Sequence, residues 1–142
     1  MILPDVNLLL YAYNQRSPFH LRAAQWWAEA LSGGEVVGLA SVAAFGFLRL
    51  STHARIFEEP LGADEAVGEV RLWLQRPIVR WLEADRRVAD RAFSLLMAAG
   101  TAGNLVTDAQ LAALALEYGA VVYTADADFT RFAGVRWRNP CA

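Results

Sequence analysis

The chain has 142 residues, a formal net charge of −2, and a hydrophobic fraction of 56%. This length fits one domain with a proper core, and the acidic balance argues against a protein that binds nucleic acid by net charge alone. No apolar run is long enough to span a membrane, and no signal peptide is apparent. Cys141 is the only cysteine, so no internal disulfide can form and a reducing cytoplasm is the expected compartment.

The first half of the chain alternates short apolar runs with helical patterns. Strands are predicted at Met1–Pro4 and Val36–Ala40, and helices at Asn7–Tyr13, from Ser17 to Gly33, and from Ser41 to about Leu50. Ser17 followed by Pro18 is typical of an N-cap and a first helical residue. Ser41 directly after a strand is likewise predicted to cap the third helix.

The second half continues the same alternation. Helices are predicted at Ala63–Gln75, Ala84–Ala99 and Asp108–Tyr118, and strands at Ile78–Leu82, Ala120–Thr124 and Val135–Arg138, the last at a sheet edge. Thr107 and Gln110 fit a capping box, and Gly119 stands where a helix C′ residue belongs. Strands that alternate with helices indicate an α/β fold around a parallel sheet.

Acidic side chains stand at the ends of these elements. Asp5 and Asp126 each follow a strand, and Asp108 opens a helix. Ligands bind at the carboxyl ends of strands in open α/β sheets, so we expect the three acids to converge. Two like charges about 4 Å apart repel by roughly 4 kcal/mol at an effective dielectric near 20. A divalent cation, Mg²⁺ or Mn²⁺, would offset that repulsion, and Asp128 would share the face of Asp126 if the backbone stays extended.

Each acid also has a purely structural interpretation. Asp5 is placed to cap the helix that follows it, and Asp108 is a first-turn acid favoured by the helix dipole. Asp126 and Asp128 are typical of Asx turns. The coincidence of all four at corresponding element ends favours a metal site.

The basic residues narrow the choice among proteins with aspartates at strand ends. The chain has 13 arginines and no lysine. Haloacid-dehalogenase-like phosphatases, response-regulator receivers and P-loop proteins all rely on a lysine, so these classes are excluded. A polar segment lies at the end of the third helix and comprises Arg49, Ser51, Thr52, His53 and Arg55. These residues either bind the phosphate backbone of RNA or form an ordinary solvated helix end.

Three segments carry a family resemblance: MILPDVNLLLYAY at the start, GNLVTDAQLAALALEYGA in the middle, and VVYTADADFTRFAGVRWRNP at the end. In this order they resemble the PIN domain nucleases, and within them the VapC toxins of bacterial toxin–antitoxin pairs. The resemblance covers essentially the whole chain. It implies a single three-layer α/β/α domain over residues 1–142 with a central parallel sheet.

The resemblance also implies an activity and partners. It implies Mg²⁺- or Mn²⁺-dependent cleavage of single-stranded RNA, with Asp5, Asp108 and Asp126 as the catalytic metal-binding acids and Thr107 or Thr124 as an outer-shell hydroxyl. A cognate antitoxin would hold the toxin inactive, and a homodimer is expected. Trp26 and Trp27 point about 100° apart on their helix, so they are either core and boundary residues or partly a partner surface.

One position departs from the family. A glutamate usually lies three residues before the arginine that Arg49 matches, and this chain has Gly46 there. Asp128 is the nearest replacement, while Glu58 and Glu59 fall in a loop and are less favoured. The departure leaves an alternative function open: a PIN-fold module that binds RNA or protein with weak or no catalysis.

Overall fold

The computed structural model describes residues 1–142, which form one parallel sheet flanked by helices. The strands are β1 (Ile2–Pro4), β2 (Val37–Ala40), β3 (Val79–Leu82), β4 (Val121–Tyr123) and β5 (Trp137–Arg138). The helices are α1 (Val6–Tyr13), α2 (His20–Ser32), α3 (Ser41–Ser51), α4 (Ala63–Gln75), α5 (Arg86–Ala99) and α6 (Leu105–Tyr118), with a 3₁₀ turn at Ala127–Arg131. None of these helices combines the length and apolar character needed to cross a membrane. The predicted three-layer α/β/α fold is confirmed.

The strand order is β3-β2-β1-β4-β5, and every neighbouring pair is parallel. β1 lies at the centre, and Pro4 at its end pairs with Tyr123 at the end of β4. The next residue, Asp5, donates its backbone N–H to the Tyr123 carbonyl at 2.8 Å. The ends of the two strands therefore deliver their following residues to the same edge of the sheet. β5 is at the outer edge, as the alternation at Val135–Arg138 predicts.

The central strands of the sheet are buried: β1 and β2 along their whole length, and β4 at its middle residue. Leu3, Val37, Leu39 and Val122 have no exposed surface, so the strands read as continuous apolar runs. Helix α2 packs on α1, and α5 packs on α6. Such burial of whole strands accounts for the high hydrophobic fraction of the chain.

The two tryptophans of α2 both pack within the protein. Trp27 is 3% exposed and meets the Trp73 ring edge-on, with ring centroids 5.3 Å apart. Trp26 is half-buried and stacks on Tyr123 at 5.4 Å. This is the arrangement expected of a core residue beside a boundary residue.

Two helix starts differ from the prediction. α2 begins at His20, because the Ser17 hydroxyl accepts a hydrogen bond from the Phe19 N–H at 3.1 Å and closes a turn before the helix. Ser41 is the first residue of α3 and not its cap. Its hydroxyl donates a hydrogen bond to the Glu83 carboxylate at 2.9 Å. Because a charged acceptor forms the stronger hydrogen bond, the hydroxyl does not cap the helix.

The start of α6 is also earlier than predicted. The helix begins at Leu105, whose side chain is 4% exposed in the core, so Thr107 and Gln110 lie inside the helix and form no capping box. Asn104 occupies the N-cap position without a side-chain hydrogen bond. The end is as predicted, because Gly119 has a left-handed φ of 61° that favours glycine.

Gly46 lies where α3 approaches α1 most closely. A Cβ atom at this position would be 2.7 Å from Cγ2 of Val6, which is closer than carbon atoms pack. Val6 is β-branched and helical, so its side chain has little freedom to turn away. The glycine is therefore explained by helix packing, and a larger residue here requires a smaller one at position 6.

Two glycine-to-alanine substitutions test this packing. Gly68 in α4 has open space around its Cβ position, so Gly68→Ala should raise the free energy of unfolding by about 0.5–1 kcal/mol through helix propensity. The free energy of unfolding of Gly46→Ala should be about 1–3 kcal/mol lower than that of Gly68→Ala, because the added methyl group overpacks against Val6. Urea unfolding of both variants gives the comparison, and equal gains would show that α1 and α3 are not tightly packed.

Candidate metal centre

Three carboxylates meet at the carboxyl edge of the sheet. Asp108, Asp126 and Asp128 each offer one oxygen, and these oxygens all lie within 4.8 Å of one another. Asp108 comes from the first turn of α6, whereas the other two follow β4. Asp126 also accepts a hydrogen bond from the Asp128 N–H at 2.8 Å, which is the Asx turn that its sequence allows. The same residues thus make a turn and an acidic cluster.

Asp5 lies beside this cluster but in a different setting. One carboxylate oxygen accepts the Val6 N–H at 2.7 Å, so the helix-capping interpretation is correct. The other accepts the Thr124 hydroxyl at 2.8 Å. The side chain is 4% exposed and is not a member of the trio within 4.8 Å. Asp5 therefore caps α1 and also lies beside the acidic cluster.

A small hydrogen-bond network fixes the end of β1 to the end of β4. The Asn7 amide donates to the Thr124 hydroxyl at 3.2 Å and accepts from the Ala125 N–H at 3.3 Å. The Asp126 N–H donates to the same hydroxyl at 2.9 Å. Thr124 therefore holds Asp5 and the backbone of Asp126 in register, and Thr107 lines the cleft without joining this network. Asn7 is a site residue that the sequence reasoning missed, although it stands two residues after Asp5.

Burial and mutual repulsion raise the pKa values of the acids. Burial, together with the charges of Asp5, Asp126 and Asp128, raises the pKa of Asp108 from its usual 3.8 to about 7. Burial also raises the pKa of Asp5, which the hydrogen bonds from Thr124 and Val6 partly oppose. The site thus favours a proton or a cation over four free negative charges.

Asp5, Asp108 and Asp126 line an open cleft of about 700 Å³, a volume typical of ligand sites. Helix α3 lines the same cleft with Ser41, Phe45, Gly46 and Arg49. Of the polar segment predicted at the end of α3, Arg49 reaches the cleft lining, whereas the others do not. His53 accepts a hydrogen bond from the Arg55 N–H at 3.1 Å, as in an ordinary solvated helix end.

Three further glutamates bear on whether another carboxylate replaces the one missing at Gly46. Glu58 pairs with Arg16 at 3.0 Å, and Glu59 lies in a separate groove beside Tyr13, so neither replaces a carboxylate at Gly46. Glu83, which follows β3, does line the cleft. The sequence reasoning missed it, although its place after a strand is the same signal that selected Asp5 and Asp126.

The donor set suits a hard divalent cation. Carboxylate oxygens from separate elements converge without a cationic side chain among them, and burial together with the neighbouring charges raises the pKa of Asp108. Oxygen donors of this kind prefer Mg²⁺ or Mn²⁺ to softer metals. The residues present therefore fit a divalent metal site.

Comparison with known proteins agrees with the fold. The PIN domain family model matches residues 2–135. Ribonuclease VapC33 of Mycobacterium tuberculosis is 46% identical over 140 residues, covering 99% of this chain and 98% of that protein. The crystal structure of Mycobacterium tuberculosis VapC20, a sarcin–ricin loop cleaving toxin, has a TM-score of 0.72 at 22% identity and covers 96% of this chain and 99% of that one. A toxin–antitoxin complex from Klebsiella pneumoniae gives a TM-score of 0.64 at 16% identity, covering 99% of this chain and 98% of that chain.

The chain is thus an α/β/α protein with an acidic cluster at the carboxyl edge of its parallel sheet. The chain belongs to the PIN domain family, and its curated relatives are VapC ribonucleases.

The raised pKa of Asp108 predicts how stability depends on pH. Between pH 4 and 7 the folded metal-free protein binds more protons than the unfolded chain, so the free energy of unfolding should fall as pH rises through this window. The loss from Asp108 is on the order of a few kcal/mol. Denaturant unfolding at several pH values measures the slope, which Asp108→Asn should make shallower.

The matched control for this titration is Asp90→Asn, which removes an exposed acid on α5. That variant should keep the wild-type slope. Mg²⁺ or Mn²⁺ should restore stability above pH 7 in the wild type by binding the folded state. An Asp108→Asn protein with the full wild-type slope would contradict the role assigned to the acidic cluster.

Proposed function

We propose that the chain is a Mg²⁺- or Mn²⁺-dependent endoribonuclease that cleaves single-stranded RNA, built as one PIN domain over residues 1–142. The observation that carries this proposal is the convergence of Asp108, Asp126 and Asp128 within 4.8 Å at the sheet edge where Asp5 follows β1. The ribonuclease names of relatives at 46% identity support the same activity.

The residues divide into metal-holding and positioning groups. Asp108, Asp126 and Asp128 would hold the metal, with Asp5 beside them as a further ligand, directly or through water. Such an ion lowers the pKa of a bound water and offsets negative charge at the scissile phosphate. Asn7 and Thr124 keep Asp5 and the backbone of Asp126 in place through hydrogen bonds of 2.8–3.4 Å, so that little reorganisation of these residues is needed when substrate arrives.

The glycine at position 46 is compatible with catalysis. Asp128 supplies a third carboxylate to the trio without any contribution from α3. The contact with Val6 gives Gly46 a packing reason that is independent of activity. The alternative of an inactive binding module therefore has no observation in its favour beyond the substitution itself.

The partners follow from the relatives. The fold is shared with the chain in the Klebsiella pneumoniae toxin–antitoxin complex, and the curated relatives are VapC proteins. We propose that this chain is the toxin of such a pair, acts in the cytoplasm, forms a homodimer, and is inhibited by a cognate antitoxin.

Cleavage of labelled single-stranded RNA tests the activity. Wild-type protein should cut in Mn²⁺ and not in EDTA, because the acids need a cation to accept a phosphate nearby. Asp108→Asn and Asp126→Asn should each lower the rate by about 100-fold or more through loss of electrostatic stabilisation. Asp90→Asn, an isosteric change on the exposed face of α5, should cut like the wild type.

Two results would contradict the nuclease assignment. Cutting that survives both substitutions would come from a contaminant. A wild-type protein that binds Mn²⁺ but cuts no member of a broad RNA panel would favour the binding module with Gly46 in place of glutamate.

Growth on induction tests the biological role. Expression of the chain alone should arrest growth, and co-expression of the antitoxin encoded next to it should restore growth. Asp5→Asn should relieve the arrest without the antitoxin, since it removes a charge from the site. Arrest that persists in a soluble Asp5→Asn protein would separate toxicity from RNA cleavage.

A further inference from the structure

Two aromatic rings are exposed where α3 and β3 border the cleft. Phe45 lines the cleft and is 62% exposed, and Trp81 beside it is 39% exposed. Their ring centroids are 6.1 Å apart with planes at 84°, an edge-to-face contact. An exposed phenylalanine keeps a large apolar surface in water, and here that surface borders the cleft that holds the acidic cluster.

The ring pair is held in place by polar contacts. The Trp81 indole N–H donates to one Glu83 oxygen at 2.8 Å, and the Ser41 hydroxyl donates to the other at 2.9 Å. Glu83 is thus occupied at both oxygens and fixes the indole plane, against which Phe45 rests. A surface fixed before binding loses little conformational entropy when a ligand covers it.

A free cation stands one helical turn away. Arg49 follows Phe45 by four residues, so both side chains lie on the same face of α3, and both line the cleft. Arg49 takes part in none of the ion pairs of the chain. A guanidinium without a carboxylate partner is suited to bind a phosphate.

We propose that Phe45, braced by Trp81, is the platform on which one unpaired base of the RNA stacks while Arg49 binds a phosphate of the same strand. This inference rests on the proposed function and deepens it. Aromatic rings stack on any base whose face is free, which in RNA means single-stranded segments. The platform would therefore favour unpaired RNA at the acidic cleft with little preference for sequence.

The position and charge of the patch favour RNA over a protein partner. The apolar face of Phe93 and Met97 on α5 is equally exposed, but apolar and small residues surround it and it lies outside the acidic cleft. At Phe45 the ring, the guanidinium and the acids share one cleft. In bound RNA, the aromatic ring would contact a base, the guanidinium would contact a phosphate, and the acids would hold the metal at a second phosphate.

Binding of two fluorescent probes tests the platform, in an Asp108→Asn background that prevents cleavage. One probe is an unstructured oligoribonucleotide, and the other is an abasic ribose-phosphate strand of equal length. Phe45→Ala should weaken binding of the first by about 5-fold or more and leave the second unchanged, because only bases stack. Phe45→Trp should restore affinity, and Phe93→Ala, which removes an equally exposed ring, should bind like its parent.

Arg49→Gln should weaken binding of both probes, and its log-affinity against log-salt slope should be smaller by about 0.7, as for one lost phosphate contact on a single strand. Equal losses for Phe45→Ala on both probes, or none beyond Phe93→Ala, would overturn the platform while leaving the nuclease intact. Sedimentation of the Phe45→Ala protein as monomer where the parent is a dimer would assign the rings to an interface between copies. A parent that binds neither probe, together with a wild-type protein that cuts no RNA, would overturn the proposed function as well.

Discussion

The parallel pairing of β1 with β4 at the centre of the sheet is the constraint on which the site depends. Pro4 opposite Tyr123 sets the register, and the Asp5 N–H extends the ladder by one bond to the Tyr123 carbonyl. Because side chains alternate along strands, a shift of one residue would turn the acids that follow to the other face. The network of Asn7 and Thr124 adds side-chain bonds to this register. Fold and site are therefore specified by the same few residues.

The acidic cluster opposes the folding that builds it. Burial of Asp108 beside three other carboxylates raises its pKa to about 7, which is a cost to the metal-free fold at neutral pH. The apolar strands and helices offset that cost, since the core around the sheet is extensive. Repulsion between the acids is then available to strengthen cation binding, because the ion relieves it. A buried acidic cluster of this kind lowers the stability of the metal-free protein, and the apolar core must offset that loss.

Much of this was predictable from sequence because the signals are strong: short apolar runs, helical periodicity, and acids at strand ends. The predictions at Ser17, Ser41 and Thr107 were wrong where a side chain had a better partner or a nearby residue had to be buried. Ser41 bonds Glu83 in place of its own helix, and buried Leu105 sets the start of α6. Glu83 was missed although it follows a strand as Asp5 and Asp126 do, whereas the role of Asn7 arises from its hydrogen bonds to the distant Thr124 and Ala125. Local pattern does not contain that pairing.

Gly46 shows how a departure from a family pattern is judged by its surroundings. Taken alone, the loss of a carboxylate suggests a weakened site. In the fold, the glycine allows α3 to approach Val6, and the neighbouring Phe45 and Arg49 line the cleft that Asp5, Asp108 and Asp126 also line. The helix thus contributes an aromatic ring and a cation to the cleft, while the acids come from β1, β4 and α6. Under the proposed function, the acids act on the phosphate and α3 binds the RNA strand that carries it.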